Sequence, residues 1–216
     1  MPRPSRRIDR ALLASGRALF PHAGCAGLSV RAVADHAGAN LGMFHYHFKT
    51  KDNFLRTLLQ DIYEEMYESL AGAVADRGRA IERLRSALVA LAGFARDQRL
   101  LLARVWMDVL GGEAVATEFM RTNAPRHLGL LIGLLQQAEA DGDLQALPPL
   151  QRFVTLVGAV VMPILFAPGL AQAALGPTAY RREFVPQVAS DRAIAERVDL
   201  VLSALGPTKP SPRGRR

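Results

Sequence analysis

Between Leu28 and Asp52 the chain reads LSVRAVADHAGANLGMFHYHFKTKD, and here the residue types and their spacing suggest a chemistry. Four small or apolar residues, Asn40, Leu41, Gly42 and Met43, are followed by the donors and cations Tyr46, His47, Lys49 and Lys51. That order suits a polyanion carrying stacked bases. Tyr46, His47 and Lys51 can donate to phosphates, and Ser29 can add one more such contact. Gly42 lets a backbone approach base edges closely, while Leu41 and Met43 offer apolar contact to a thymine methyl group. His45 and His47 do not make a metal site, because side chains two residues apart on a helix diverge and no third ligand lies nearby in sequence. Neither a metal nor another cofactor is expected.

The elements that must hold these groups are helical. Ser29 is a good N-cap for a helix with Val30, Val33, Ala34 and Ala37 inward, and Gly38 closes it. Asn40 then caps a helix of about two turns whose Phe44 and Phe48 lie on one side. The pair is a helix-turn-helix. Ahead of it, after a basic segment 1–6 expected to be mobile, Ile8, Ala11, Leu12, Ala18 and Leu19 define a helix that should end near Phe20, before Pro21 and Gly24. Beyond it, apolar residues at helical spacing predict helices over 52–75, 78–97, 98–110, 113–140, 149–167 and 190–205. Pro125 is expected to bend or split its helix, and 168–189, with three prolines, reads as a long connection. The fold class is all-α.

Charge is unevenly placed. The first 52 residues hold eight Lys/Arg against three Asp/Glu, the last eleven hold four and no acid, and the formal charge of the whole is +7. A basic end on a near-neutral body is the electrostatic footprint of a phosphate-binding module. The lone cysteine, Cys25, excludes an intrachain disulfide and a thiolate-rich metal site. No signal peptide is visible, and the longest apolar run, Phe153 to Ala167, is short of the roughly 20 residues of a membrane span. A cytoplasmic protein with no membrane partner is expected. No G-x-S-x-G, phosphate-binding Gly loop or HExxH occurs, so catalysis is not expected. The alternative is a helical small-molecule-binding protein or enzyme with a vestigial helix-turn-helix.

Arg17-Ala18-Leu19-Phe20, Gly24, Ser29 to Ala34 and Ala37 to Asp52 together resemble the TetR family of one-component transcriptional regulators. The resemblance implies an N-terminal three-helix helix-turn-helix DNA-binding domain, 1–51, joined to a larger helical ligand-binding and dimerisation domain, 52–206, with a disordered basic tail, 207–216. It implies a homodimer that reads a palindromic operator in double-stranded DNA through Ser29, Asn40, Leu41, Gly42, Met43, Tyr46, His47 and Lys51, and is released by a small-molecule effector. Repression is the expected mode, with activation left open. Family members often carry Lys at the position of Leu41, Ser or Thr at that of Met43 and Tyr at that of His45. These departures bear on the base-reading pattern and not on the docking mode. The interface would use Phe153–Ala167 and Ser190–Leu205. Polar candidates for the effector pocket are Tyr63, Tyr67, Arg104, Trp106, Asp108, Arg121, Asn123 and His127. For Trp106 a core role, and for Arg104 with Asp108 a surface ion pair, remain the alternatives.

Overall fold

A computed structural model describes residues 4–75 and 77–207. The helices are α1 Pro4–Gly27, α2 Val30–His36, α3 Leu41–Phe48, α4 Lys51–Ala75, α5 Ala80–Asp97, α6 Arg99–Leu110, α7 Ala114–Ala140, α8 Pro149–Val160, α9 Met162–Leu165, α10 Ala167–Ala179 and, after a π-helical stretch Tyr180–Ala189, α11 Asp191–Ala204. No strand occurs among the described residues, as the all-α expectation requires.

Two compact units share the chain, one made of residues up to Tyr67 with Gln98–Pro125, the other of Glu68–Asp97 and the residues from Arg126 onward. In the first, Leu12 and Phe20 of α1, Val33 and Ala34 of α2, Phe44 of α3 and Phe54, Leu55 and Leu58 of α4 are all but fully buried. Gly16 makes room for this core, since a Cβ there would fall 2.6 Å from the Phe54 ring. In the second unit α11 buries Ile194 and Val198 as it packs on α5 and α8. Arg152 of α8, 1% exposed, lies inside that unit and is tied to α7.

Several helix ends differ from the sequence expectation. The first helix starts at Pro4 instead of after residue 6 and runs past Pro21; its break is at Gly24, with φ 65 and ψ −172. Losing one ladder bond at Pro21 is offset by burying Phe20 and Cys25 on either side of it. The expected helix 149–167 is interrupted at Val161 and Phe166, because Pro163 and Pro168 each sit in the first turn of a new helix, where a missing N–H costs nothing. The expected connection 168–189 is helical instead: Pro168 opens α10, and Pro177 follows Gly176, whose φ of 74 breaks the helix. Pro125 does not split α7. Of the tail, residues 208–216 lie outside the described residues, as do residues 1–3 of the basic start. No single helix among the described residues is long and apolar enough to cross a membrane.

Candidate nucleic-acid interface

Local chemistry builds the α2–turn–α3 unit. The Ser29 hydroxyl accepts from the Ala32 amide at 3.4 Å and the Asn40 carbonyl oxygen from the Met43 amide at 2.9 Å, so each helix has its first turn capped. Between them Gly38, at φ 64, closes α2: the Ala39 amide donates to Ala34 and the Gly38 amide to Asp35, the paired bonds of a left-handed C-terminal cap. Because α3 has only eight residues, its start depends on the Asn40 cap. Asn40→Ala is expected to cost about 1 kcal/mol of stability in urea unfolding, and a loss below ~0.3 would show that the cap is dispensable.

One side of α3 is core. Phe44 and Phe48 are buried, with ring centroids 5.5 Å apart and each about 5 Å from that of Phe54. The other side is open: Leu41, Gly42, His45 and Tyr46 are exposed, Tyr46 by 73%. These four fall at i, i+1, i+4 and i+5 and form one strip. Sequence reasoning gives His45 no role, although its spacing from Leu41 places it on that strip; its Nδ1–H donates to the Lys49 carbonyl at 3.1 Å. Met43 is half-buried beside a groove of about 460 Å³ that Ile8, Ala11, Ala37 to Ala39 and Asn40 also line.

Two of the expected phosphate donors are only partly available, one enclosed and one bonded within the fold. His47 is half-buried, and its Nε2 is enclosed without a hydrogen-bond partner. Lys51 donates from Nζ to the Ala26 carbonyl at 2.6 Å, which leaves two of its three ammonium protons for other acceptors. That bond pins the start of α4 to the end of α1.

Seven of the eight residues named for an effector pocket belong to the first unit, and His127 belongs to the second. Tyr63 and Tyr67 stack with centroids 6.0 Å apart, and the Tyr63 hydroxyl donates to the Asn123 carbonyl at 2.7 Å. The buried Asn123 amide donates to the Phe119 carbonyl and accepts from Gln60, neither of which stands out in the sequence. Trp106 is half-buried and Arg121 exposed. Asp108, 4% exposed, accepts from the Cys25 amide at 2.7 Å and pairs with Arg104 at 2.9 Å. Burial, aided by Asp108, pushes the Cys25 thiol up to about 12, so it stays protonated at neutral pH. Burial also lowers the His127 pKa, favouring its neutral ring.

Similar proteins carry the same arrangement of helices. Residues 12–58 match the family described as bacterial regulatory proteins, tetR family. Over 156 residues, 71% of this chain and 75% of the other, the sequence is 23% identical to the Bacillus subtilis (strain 168) protein named "Probable HTH-type transcriptional regulator YttP". The fold is similar to that of the ketosteroid transcriptional regulator KstR2 of Mycobacterium tuberculosis, with a TM-score of 0.67 and 18% identity over 96% of this chain and 98% of that one. It is also similar to the TetR family regulator PfmR from Thermus thermophilus, with a TM-score of 0.64 and 16% identity over 92% and 99%. At such identities the two structures speak for the fold alone. Residues 12–58 thus carry the N-terminal segment of the tetR family, and with the Bacillus relative and the shared fold the chain is similar to tetR-family transcriptional regulators.

Proposed function

We propose that this regulator is a cytoplasmic homodimer that represses by holding a palindromic operator and is released from it by a small-molecule effector. The observation that carries the DNA-binding half is α3 itself, which anchors Phe44 and Phe48 in the core and leaves Leu41, Gly42 and Tyr46 open. Residues 1–51 are the reading head in this view, 52–206 the effector and dimerisation part, and 207–216 a basic tail. Asn40, Leu41, Gly42 and Met43 meet base edges. Tyr46, Lys51 through its uncommitted protons, and the free O–H of Ser29 meet phosphates, and His47 reaches one only through Nδ1. Two such heads would meet half-sites about one turn of duplex apart.

Dimerisation through α8 and α11 is supported by the large apolar groups they leave open, Leu150 and Val154 on one and Leu200 on the other, each about two-thirds or more exposed. The candidates for effector contact are Tyr63, Tyr67, Arg104, Trp106, Asp108, Arg121 and Asn123 in the first unit and, taken separately, His127 in the second, and apolar or aromatic molecules suit regions so rich in Leu, Ala and Val. By linkage, an effector that loosens DNA must bind the DNA-bound protein less well.

The test begins by selecting duplexes from a random-sequence pool with the wild-type protein. Tyr46→Phe, which deletes one uncharged phosphate donor, should weaken binding to all sequences alike and leave the dependence of log K on log salt unchanged, because that slope counts phosphates neutralised by Lys or Arg. Leu41→Ala should instead change which bases are preferred, by roughly 1–3 kcal/mol at one position per half-site. Failure to select any duplex would sink the proposal, and an unchanged affinity with Tyr46→Phe would remove Tyr46 from the contact set.

A further inference from the structure

We infer that Asp108 is a positioning residue for the DNA-reading helices, an inference that rests on the DNA-binding reading above. The stretch Gly24 to Ala26, where α1 breaks before leading into α2, is held by three side chains from distant parts of the sequence. The Arg104 guanidinium lies against Gly24, so closely that a Cβ there would fall 2.1 Å from Nε. Asp108 takes the Cys25 amide at 2.7 Å, and Lys51 donates to the Ala26 carbonyl at 2.6 Å. Inside the corner the Leu28 amide donates back to Gly24 at 3.1 Å.

The physical reason for a carboxylate here lies in the break. At φ 65 and ψ −172, Gly24 swings the next peptide out of the helical ladder, so the Cys25 N–H needs another acceptor in a place closed to water. Asp108 provides it while its own charge is met by Arg104, one turn earlier on the same helix, at 2.9 Å. Only Leu28 and Ser29 separate the end of α1 from α2, and Lys51 lies two residues beyond Lys49, the C-cap of α3. Whatever fixes Gly24–Ala26 therefore fixes both the direction in which the chain enters the helix-turn-helix and the lysine that follows it. Without the acceptor, the Cys25 amide must turn to find water, and the corner turns with it.

The experiment uses the full chain and a duplex selected from a random pool by the wild-type protein. Affinity is measured across salt concentrations for Asp108→Ala, Asp108→Asn and, as a control for lost stability, Leu131→Ala, a buried residue of the second unit. Asp108→Ala is expected to weaken binding about tenfold and to flatten the salt slope by roughly one phosphate contact. Asp108→Asn, which keeps an acceptor of the same shape, should restore binding to within about threefold. Leu131→Ala should lower the melting temperature and leave the slope unchanged. Wild-type affinity and slope in Asp108→Ala would overturn the assignment, and so would an Asn variant as impaired as the Ala one. If Asp108→Ala does not fold, Arg104→Gln removes the group that aligns the carboxylate: a weakened, flattened response supports the role and an unchanged one overturns it. Recovery of no duplex by the wild-type protein would instead defeat the DNA-binding reading, and this inference with it.

Discussion

Phe44→Ala is expected to remove about 3–5 kcal/mol of stability and to abolish DNA binding at every salt concentration. The ring is fully buried, its centroid 5.0 Å from that of Phe54 and 5.5 Å from that of Phe48. Phe54 in turn rests on Gly16 of α1, so one ring joins three helices. A helix of eight residues cannot persist in water on its own propensity, and α3 is helical because this cluster holds it. Removing the ring leaves a cavity the size of an aromatic side chain and takes away the main anchor of the strip that bears Leu41, Gly42 and Tyr46. Phe44→Leu, which refills most of the volume, should cost less than half as much. The one tryptophan, Trp106, lies in the same unit and makes urea unfolding visible by fluorescence. A measured cost below about 1 kcal/mol would mean that α3 is held by something other than these rings.

How much of this can be read from sequence depends on the range of the interaction. The caps at Ser29 and Asn40 and the closing glycine at 38 act within three to five residues, so their chemistry is visible in the order of the letters, and α2 and α3 fall where that chemistry puts them. Phe44 and Phe48 are visible for the same reason, as two aromatics on one face. The end of α1 is not. Pro21 is a strong local signal, but the break lies at Gly24, against an arginine eighty residues away, and no local pattern records that. Likewise the prolines of 168–189 signal a connection until their surroundings are known: Pro168 begins a helix and Pro177 follows a break, and both places tolerate a missing N–H. In the candidate site, side-chain identity is legible and side-chain commitment is not. Lys51 bonds to a carbonyl 25 residues back and Asp108 to an amide 83 residues back, whereas the sequence shows Lys51 as a phosphate donor and Asp108 as a pocket candidate or half of a surface ion pair with Arg104.

The second large effect concerns the buried ion pair of the second unit, and its sign follows from which partner water can reach. Arg152 is 1% exposed and donates to the Leu135 carbonyl at 3.0 Å, the Leu147 carbonyl at 2.7 Å and the Glu139 carboxylate at 2.6 Å. Glu139 is open to solvent over about a third of its side chain. Deleting the carboxylate strands a guanidinium among Leu residues, whereas deleting the guanidinium leaves a carboxylate that water can still hydrate. Glu139→Ala should therefore cost about 3 kcal/mol, the low end for a broken buried pair because the vacated space admits some water. Arg152→Met keeps most of the volume and should cost about 1–2 kcal/mol, chiefly for the hydrogen bonds no longer donated to Leu135 and Leu147. The double variant Arg152→Met with Glu139→Leu should come back to within about 1 kcal/mol of wild type, since an apolar pair of similar volume has no charge to desolvate. Urea unfolding followed by helical circular dichroism gives all three values. An Arg152→Met variant less stable than Glu139→Ala would show that the arginine holds α8 to α7 mainly through the two carbonyls, and that Glu139 contributes little to neutralising it.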